Sequence, residues 1–337
     1  MKILNIMLSR DLGGIQQAFL DYSFALKLQK VEVINVTSFG AKINALLSSK
    51  SFKLLNLAPI DFFSCLILKY IIYKTKADII IAHGNRAINF SRFAKPKRIP
   101  LIGVAHNYSL KGLKKCDYVI ALTEHMKSYL LKNNFIGLKI FLLPNMINIK
   151  KDFVSNKQYR NPIVIGMIAR FVPKKGTDFF IKGMHILKDK GYKFKAIIGG
   201  DGEERDKLLT LTHKLGLTDC VSFTGWVEDK DKFFDELDIF CLPSLHEPFG
   251  IILLEAMETS LPVVSFNTEG PNEILTHRKE GLICKKNNIN DLAEEIIYLI
   301  DHPNEAQKFS EAAYLRLKEN YNIKSLSKRL VEFCKSI

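Results

Sequence analysis

Residues 148–168 read NIKKDFVSNKQYRNPIVIGMI, a polar and basic stretch that ends at Asn161-Pro162 and gives way to six apolar residues, Ile163–Ile168. A short continuous apolar run after turn residues is the pattern of a strand buried on both faces. The same pattern recurs on either side of this boundary. Upstream, strands are predicted at Lys2–Leu8, Val31–Thr37, Asp78–Ala82, Pro100–Ala105, Tyr118–Leu122 and Ile140–Leu143. Helical patterns lie between them at Gln16–Leu28, Phe62–Lys76 and Glu124–Asn133. Downstream, the run at Ile163–Ile168 is followed by Phe194–Gly199, Val221–Thr224, Ile239–Pro243, Pro262–Phe266 and Gly281–Cys284. Strands alternating with helices imply parallel sheets covered by helices. Two such sets, separated by the polar segment at 148–161, predict two doubly wound α/β domains and a linker. An amphipathic stretch, Ser325–Lys335, ends the pattern with no strand after it.

Length and composition agree. At about 150 residues per domain, 337 residues suit two domains. The 47% hydrophobic and 25% charged fractions are those of a globular chain and exclude wholesale disorder, collagen and coiled coil. Six scattered cysteines without a C-x-x-C pair read as ordinary thiols, neither a disulfide frame nor a zinc site. Met1–Asn5 runs into an apolar strand without a cleavable-signal pattern. The most lipid-like stretch, Phe62–Tyr73, is broken by Lys69 and is shorter than the roughly 18 apolar residues that span a bilayer. The expectation is a soluble, cytoplasmic protein.

Charge is unevenly placed. Residues 1–150 carry 22 Lys+Arg against 7 Asp+Glu, an excess of 15, and the remainder carries 27 against 28. The whole net charge of +14 therefore belongs to the first half. Such asymmetry points to an anionic partner, whether membrane surface, nucleic acid or acidic substrate, or else to lysines used for solubility. The segment Phe62–Lys76, apolar but with Lys69, Lys74 and Lys76, could touch lipid or simply cover the sheet.

Four short constellations follow strands. Gly13-Gly14, after the first, allow close backbone approach, and the following helix offers free N–H groups to an anion. The pattern is not G-x-G-x-x-G, and no acidic residue closes the second strand, so a dinucleotide site is not indicated and a tight turn explains it equally well. Gly199-Gly200-Asp201-Gly202 reads first as a turn. In Leu242–Met257 a loop carries Glu247, and Phe249-Gly250-Ile251 opens an apolar helix that carries Glu255. Its first N–H groups, at Gly250 and Ile251, could hold a diphosphate with the helix dipole behind them. Glu255 and Glu247 would then accept hydrogen bonds from ribose and sugar hydroxyls, since a carboxylate would repel the phosphates. Arg170 and Lys175, after Ile163–Ile168, sit where cations could neutralise a departing diphosphate. Surface carboxylates and solvated cations remain the plainer alternatives.

This ordered set, Gly13-Gly14, Arg170 to Lys175-Gly176, Gly199–Gly202 and Glu247 to Glu255, resembles the retaining glycosyltransferases of family 4 over about residues 1–335. The resemblance implies the GT-B fold, two doubly wound Rossmann-like domains facing a central cleft. An acceptor-side domain would cover 1–155, completed by a terminal helix at 318–337, and a nucleotide-sugar domain would cover 156–317. It implies that Arg170 and Lys175 clamp the donor diphosphate, that Gly250 and Ile251 bind it through backbone, that Glu255 holds the ribose and that Glu247 contacts sugar hydroxyls. Gly13, Gly14, Gly200 and Phe249 join the donor-binding set, and His106 joins Glu247, Arg170 and Lys175 as catalytic, with His83 at another family position. Two residues depart from the pattern: Ala169 stands for the usual glycine, and Gln16 stands where an acidic residue is common. The second makes the acceptor side less transferable.

The activity implied is retaining, metal-independent transfer of a hexose-type sugar from a nucleoside diphosphate, with no cofactor, onto a glycan or lipid-linked acceptor. Cell-envelope polysaccharide or lipopolysaccharide synthesis is the expected setting, on the cytoplasmic face of the inner membrane. Asp229-Lys230-Asp231 follows Gly225-Trp226 and reads as a turn into a helix, not a metal triad. A nucleotide-sugar epimerase of the same fold is the nearer rival. A basic nucleic-acid-binding protein is the farther one, because it leaves the second-half motifs unexplained.

Overall fold

Ile3, Leu4 and Ile6 on one strand, and Ile165 and Met167 on another, are all shut off from solvent. Strands buried on both faces need helices on both sides, which parallel sheets with crossover helices provide. In the computed structural model, residues 1–11, 13–47, 51–58, 61–155 and 158–337 are described. Leu12 of the first glycine motif, and Asn156 and Lys157 of the expected linker, lie outside the described residues.

The first sheet contains β1 (Lys2–Met7), β2 (Glu32–Ser38), β3 (Ser51–Leu54), β4 (Ile79–His83), β5 (Leu101–Ala105), β6 (Tyr118–Ala121) and β7 (Ile140–Leu142). Their order is β3-β2-β1-β4-β5-β6-β7, every pair parallel. The second sheet holds β8 (Ile163–Ile168), β9 (Phe194–Gly199), β10 (Val221–Gly225), β11 (Ile239–Leu242), β12 (Val263–Phe266) and β13 (Leu282–Cys284). Its order is β10-β9-β8-β11-β12-β13, again parallel throughout. Both are doubly wound. Strand order reverses between β1 and β4 in the first and between β8 and β11 in the second, and ligands of such sheets bind beyond the carboxyl ends of the strands there.

The helices are α1 (Gly14–Leu28), α2 (Phe62–Thr75), α3 (Gly84–Ala94), α4 (Leu110–Leu113), α5 (Glu124–Lys132), α6 (Thr177–Asp189), α7 (Arg205–Lys214), α8 (Lys230–Asp235), α9 (Ile251–Glu258), α10 (Pro271–Ile274), α11 (Ile289–Asp301), α12 (Pro303–Asn320) and α13 (Ile323–Lys335). Side-chain caps set several starts: Asp61 accepts from the Ser64 N–H, Thr123 from Met126, Asp229 from Lys232 and Asn288 from Asp291. Asp229-Lys230-Asp231 is thus the start of α8. The sequence pattern did not show β3, a four-residue edge strand whose only run of side chains is Ser-Phe-Lys-Leu.

The chain forms two compact units, residues 1–148 with 320–337, and residues 149–319. The last helix belongs to the first unit because its apolar face needs cover. It packs on α1, with Gln29 Nε2 donating to Ser327 Oγ at 2.9 Å, and Phe333 stacks on Phe141 at 4.2 Å between ring centroids. In the second unit a fully buried Asp238 accepts from the Val164 N–H at 2.8 Å and from Arg160 at 2.8 Å, fixing the start of β8 to that of β11.

Candidate active site

At the β8/β11 reversal two loops are fastened together. The loop after β8 carries Arg170 and a 3₁₀ turn, Pro173–Lys175, and the loop after β11 carries Ser244 to Gly250. Leu245 N–H donates to the Lys174 carbonyl at 2.8 Å. Gly176 has φ +66°, and a Cβ there would lie 1.9 Å from the Pro243 carbonyl oxygen, so only glycine allows the approach. Lys175 Nζ reaches Glu247 Oε2 at 2.5 Å, and Ser244 Oγ donates to the same oxygen at 3.4 Å. Glu247 is 9% exposed, which the ion pair makes tolerable. Arg170, on the same loop, is exposed to solvent.

Gly250 caps α9 with φ +97°, and the first N–H groups of that helix, beginning at Ile251, have no intrahelical partner. Phe249, just before the cap, is buried. Glu255, one turn in, is partly buried. Its Oε1 accepts from Lys230 at 2.6 Å, while Oε2 is buried with no partner among the described residues. Burial pushes its carboxyl above the usual range, and Lys230 opposes that push only in part. An unpaired carboxylate oxygen one turn into α9 has capacity left to accept hydrogen bonds. Gly200 and Gly202 serve packing: a Cβ on Gly200 would lie 1.8 Å from the Ala169 carbonyl oxygen, and Phe171 N–H donates to the Asp201 carbonyl at 2.9 Å. The turn thereby buttresses the loop that holds Arg170.

Sequence reasoning did not single out Lys230, His246 or Glu269. His246 Nδ1 lies 2.9 Å from Glu269 Oε1, and Glu269 Oε2 accepts from the Glu247 N–H at 3.3 Å. Burial acts upward on the Glu269 carboxyl, but backbone N–H donors and the His246 ring outweigh it and hold it below the usual range. The signal for Glu269 was its place just past the carboxyl end of β12, in Asn267-Thr268-Glu269-Gly270. Lys230 carried no such signal, because only the fold brings it to Glu255.

The first unit has its own constellation at the β1/β4 reversal. A cavity of about 580 Å³ is lined by Arg10, Asp11, Gln16, His83, Gly84 and Arg86, among others, between the starts of α1 and α3. Gln16 is 7% exposed and lines this cavity at the first turn of α1. His83 ends β4 and is buried, with Phe19 and Tyr22 edge-on to its ring. The Asn5 amide donates to the Phe19 carbonyl and to Asn35 Oδ1, so its Oδ1 must accept from His83 Nε2 at 2.9 Å. His83 Nδ1 is then an acceptor, and His106 Nε2 donates to it at 2.9 Å. His106 is left with a free lone pair on Nδ1. Burial, and secondarily the His106 ring, hold His83 well below the usual histidine range, and burial lowers His106 to about 3. Both rings are neutral. Gly13 precedes α1 as its cap and Gly14 is its first residue. Among the described residues no group of three or more His, Cys, Asp or Glu side chains is arranged to hold a metal ion.

The family model for glycosyl transferases, group 1, matches residues 148–316, the part of the chain that builds the Lys175–Glu247 and Glu255 constellation. This chain is a group 1 glycosyl transferase family member. It is similar to the poly(ribitol-phosphate) alpha-N-acetylglucosaminyltransferase of Staphylococcus aureus, 27% identical over 73% of this chain and 48% of that one. It is also similar to the lipopolysaccharide core biosynthesis glycosyltransferase LpsD of Rhizobium meliloti, 32% identical over 49% of this chain and 47% of that one. The group 1 chain spans about half the length of these curated relatives. In structure it resembles Anabaena HepE, crystallised with UDP and glucose, with a TM-score of 0.86 over all of both chains at 20% identity. That likeness shows the fold, the GT-B pair of Rossmann-like halves.

Proposed function

We propose that this group 1 protein is a retaining glycosyltransferase of the family 4 type, moving a hexose-type sugar from a nucleoside diphosphate to a glycan or lipid-linked acceptor. The observation that carries the reading is the Lys175–Glu247 pair at the β8/β11 reversal, together with the free N–H groups at the start of α9 and the unpartnered Oε2 of Glu255. In this reading the diphosphate lies on the N–H groups of Gly250 and Ile251, with Arg170 and Lys175 balancing the charge that grows as the sugar leaves. Glu255 takes the ribose hydroxyls. Glu247, held in place by Lys175 and Ser244, takes sugar hydroxyls rather than acting as a nucleophile. Front-face attack, in which the leaving phosphate oxygen helps deprotonate the acceptor hydroxyl, then retains the anomeric configuration without a covalent enzyme intermediate. The cations supply the neutralisation, so no resident metal is required.

The acceptor reading rests on the first unit. Its cavity offers Arg10, Arg86, Gln16 and the neutral His83, whose Nδ1 is backed by His106, a set suited to a hydroxylated acceptor near an anionic group. The named relatives are a poly(ribitol-phosphate) N-acetylglucosaminyltransferase and a glycosyltransferase of lipopolysaccharide core biosynthesis, which supports a glycan or glycopolymer as acceptor. The +15 charge of residues 1–150 supports an acceptor held at an anionic membrane surface, on the cytoplasmic side. No helix among the described residues is long and apolar enough to cross a membrane.

The test is a thermal-shift and calorimetry panel of UDP, GDP and ADP with their sugars, followed by NMR of the released or transferred sugar. Binding of one nucleotide and an initial product of unchanged anomeric configuration is expected, with EDTA leaving the rate intact. An inverted product, or activity lost to EDTA and restored by Mg²⁺, would overturn the mechanism.

A further inference from the structure

A helix that covers a sheet is normally apolar on one side only. Helix α2 is apolar on two. Toward the sheet it buries Ser64, Leu68, Ile71, Ile72 and Thr75. Away from it, Phe62 (71% exposed), Phe63 (77%), Leu66, Ile67, Tyr70 (59%) and Tyr73 (82%) stand in solvent. At about 100° per residue these six fall within an arc of about 140°, opposite the buried arc. Covering the sheet therefore accounts for Leu68, Ile71 and Ile72, and leaves the six exposed apolar and aromatic residues of Phe62–Lys76 without that explanation.

The surroundings of this face are basic. Lys69, Lys74 and Lys76 are all exposed on α2 or at its cap, and Lys74 lies over the Tyr70 ring, 5.6 Å from its centroid. On the adjacent helix α3, Phe93 is 60% exposed with Arg92 beside its ring. Residues 55–100 contain eight Lys+Arg and two acidic residues, Asp61 and Asp78. Asp61 is engaged as the N-cap of α2, and Asp78 accepts from the Lys2 N–H at 2.7 Å. Leu57, 80% exposed just before α2, also lines the cavity that holds Gln16 and His83.

We propose that the outer face of α2 is a docking surface for an anionic lipid bilayer, laying its aromatic side chains among the headgroups and acyl-chain ends while Lys69, Lys74 and Lys76 meet lipid phosphates. Aromatic rings with polar tips and lysines with apolar stems are the side chains suited to that boundary. Charge decides against a second copy of this chain as the occupant: pairing two such faces would bring two sets of lysines together, whereas phosphates neutralise them. The cavity mouth at Leu57 then opens beside the bilayer, where a lipid-linked acceptor would present its head. The proposal rests on the transferase reading only for that last point.

Co-sedimentation of the full chain with phosphatidylglycerol–phosphatidylethanolamine vesicles and with pure phosphatidylcholine vesicles tests it, alongside UDP calorimetry on every variant. Pelleting is expected with the anionic vesicles, falling as NaCl rises from 0.1 to 1 M, because the Debye length shrinks from about 10 to about 3 Å. The exposed triple variant Phe63→Ser, Ile67→Ser, Tyr73→Ser, and the double variant Lys69→Glu, Lys74→Glu, should each lower vesicle affinity at least tenfold. Lys190→Glu with Lys214→Glu, on the second unit, should leave it unchanged. Equal pelleting on both vesicle types, or no effect of either α2 variant, would overturn the proposal. So would a dimer in ultracentrifugation that the triple variant converts to monomer. A protein that binds vesicles but no nucleotide would sink the transferase reading alone, and the reverse would sink only the docking face.

Discussion

Replacing Glu255 by Gln or Ala should separate donor binding from stability. Its Oε1 is held by Lys230 at 2.6 Å, and its Oε2 is buried without a partner among the described residues. A hydrogen bond to a charged group is worth about 1.5–3 kcal/mol, and each 1.4 kcal/mol is about tenfold in affinity. Glu255→Ala should therefore weaken nucleotide binding about 10- to 150-fold. Gln keeps one acceptor oxygen but no charge, and should cost less, about tenfold. The sign of the pH dependence follows from the raised carboxyl pKa, caused first by burial. The folded, ligand-free protein holds this proton more tightly than the unfolded chain does, so Glu255 lends stability at low pH that is lost as pH rises through its folded pKa. Glu255→Gln should then leave the ligand-free melting temperature unchanged or higher at neutral pH. Ribose hydroxyls need the ionised form, so wild-type affinity should fall on acidification while still above the ordinary carboxylate range, and the Gln variant should lose that dependence. Calorimetry across pH, paired with thermal melts, reads both effects. A folded variant with lower stability and unchanged nucleotide affinity would show that Glu255 is structural and refute the reasoning.

Lys175→Ala should lower turnover about 10²- to 10³-fold, more than it weakens UDP binding, because charge on the leaving diphosphate is greatest in the transition state. It should also lower the melting temperature, since Glu247 would stay buried with only Ser244 at 3.4 Å. Equal losses in kcat and in UDP affinity would assign Lys175 to ground-state binding. His106, lowered to about 3 by burial, should stay neutral at working pH, so kcat should show no histidine titration between about pH 5 and 8. A kcat limb near 6.5 that His106→Gln abolishes would contradict this.

Much of the fold was legible because parallel strands buried on both faces announce themselves as unbroken apolar runs. Every strand named in advance is present, whereas β3 was missed because four edge residues carry no periodic signal. Helix α2 was legible as a helix, yet its apolar residues could not be divided by periodicity between sheet and solvent, since both sides are apolar. The glycines marked the right turns for a reason the pattern could not supply: Gly176 and Gly200 are where two backbones come too close for a Cβ.

By itself the sequence determined the order of strands and helices, the charge split between halves, and which loops end in glycine, cation or carboxylate, because these depend on neighbours along the chain. Only tertiary structure decided the partners. Lys175 and Glu247 are 72 residues apart, Lys230 and Glu255 are 25 apart, and Asn5 on β1, His83 on β4 and His106 just past β5 are brought together by the sheet order β1-β4-β5. Hydrogen bonds and ion pairs act over about 3 Å, so they are set by which strands lie side by side, and that order is fixed when the apolar faces are buried together.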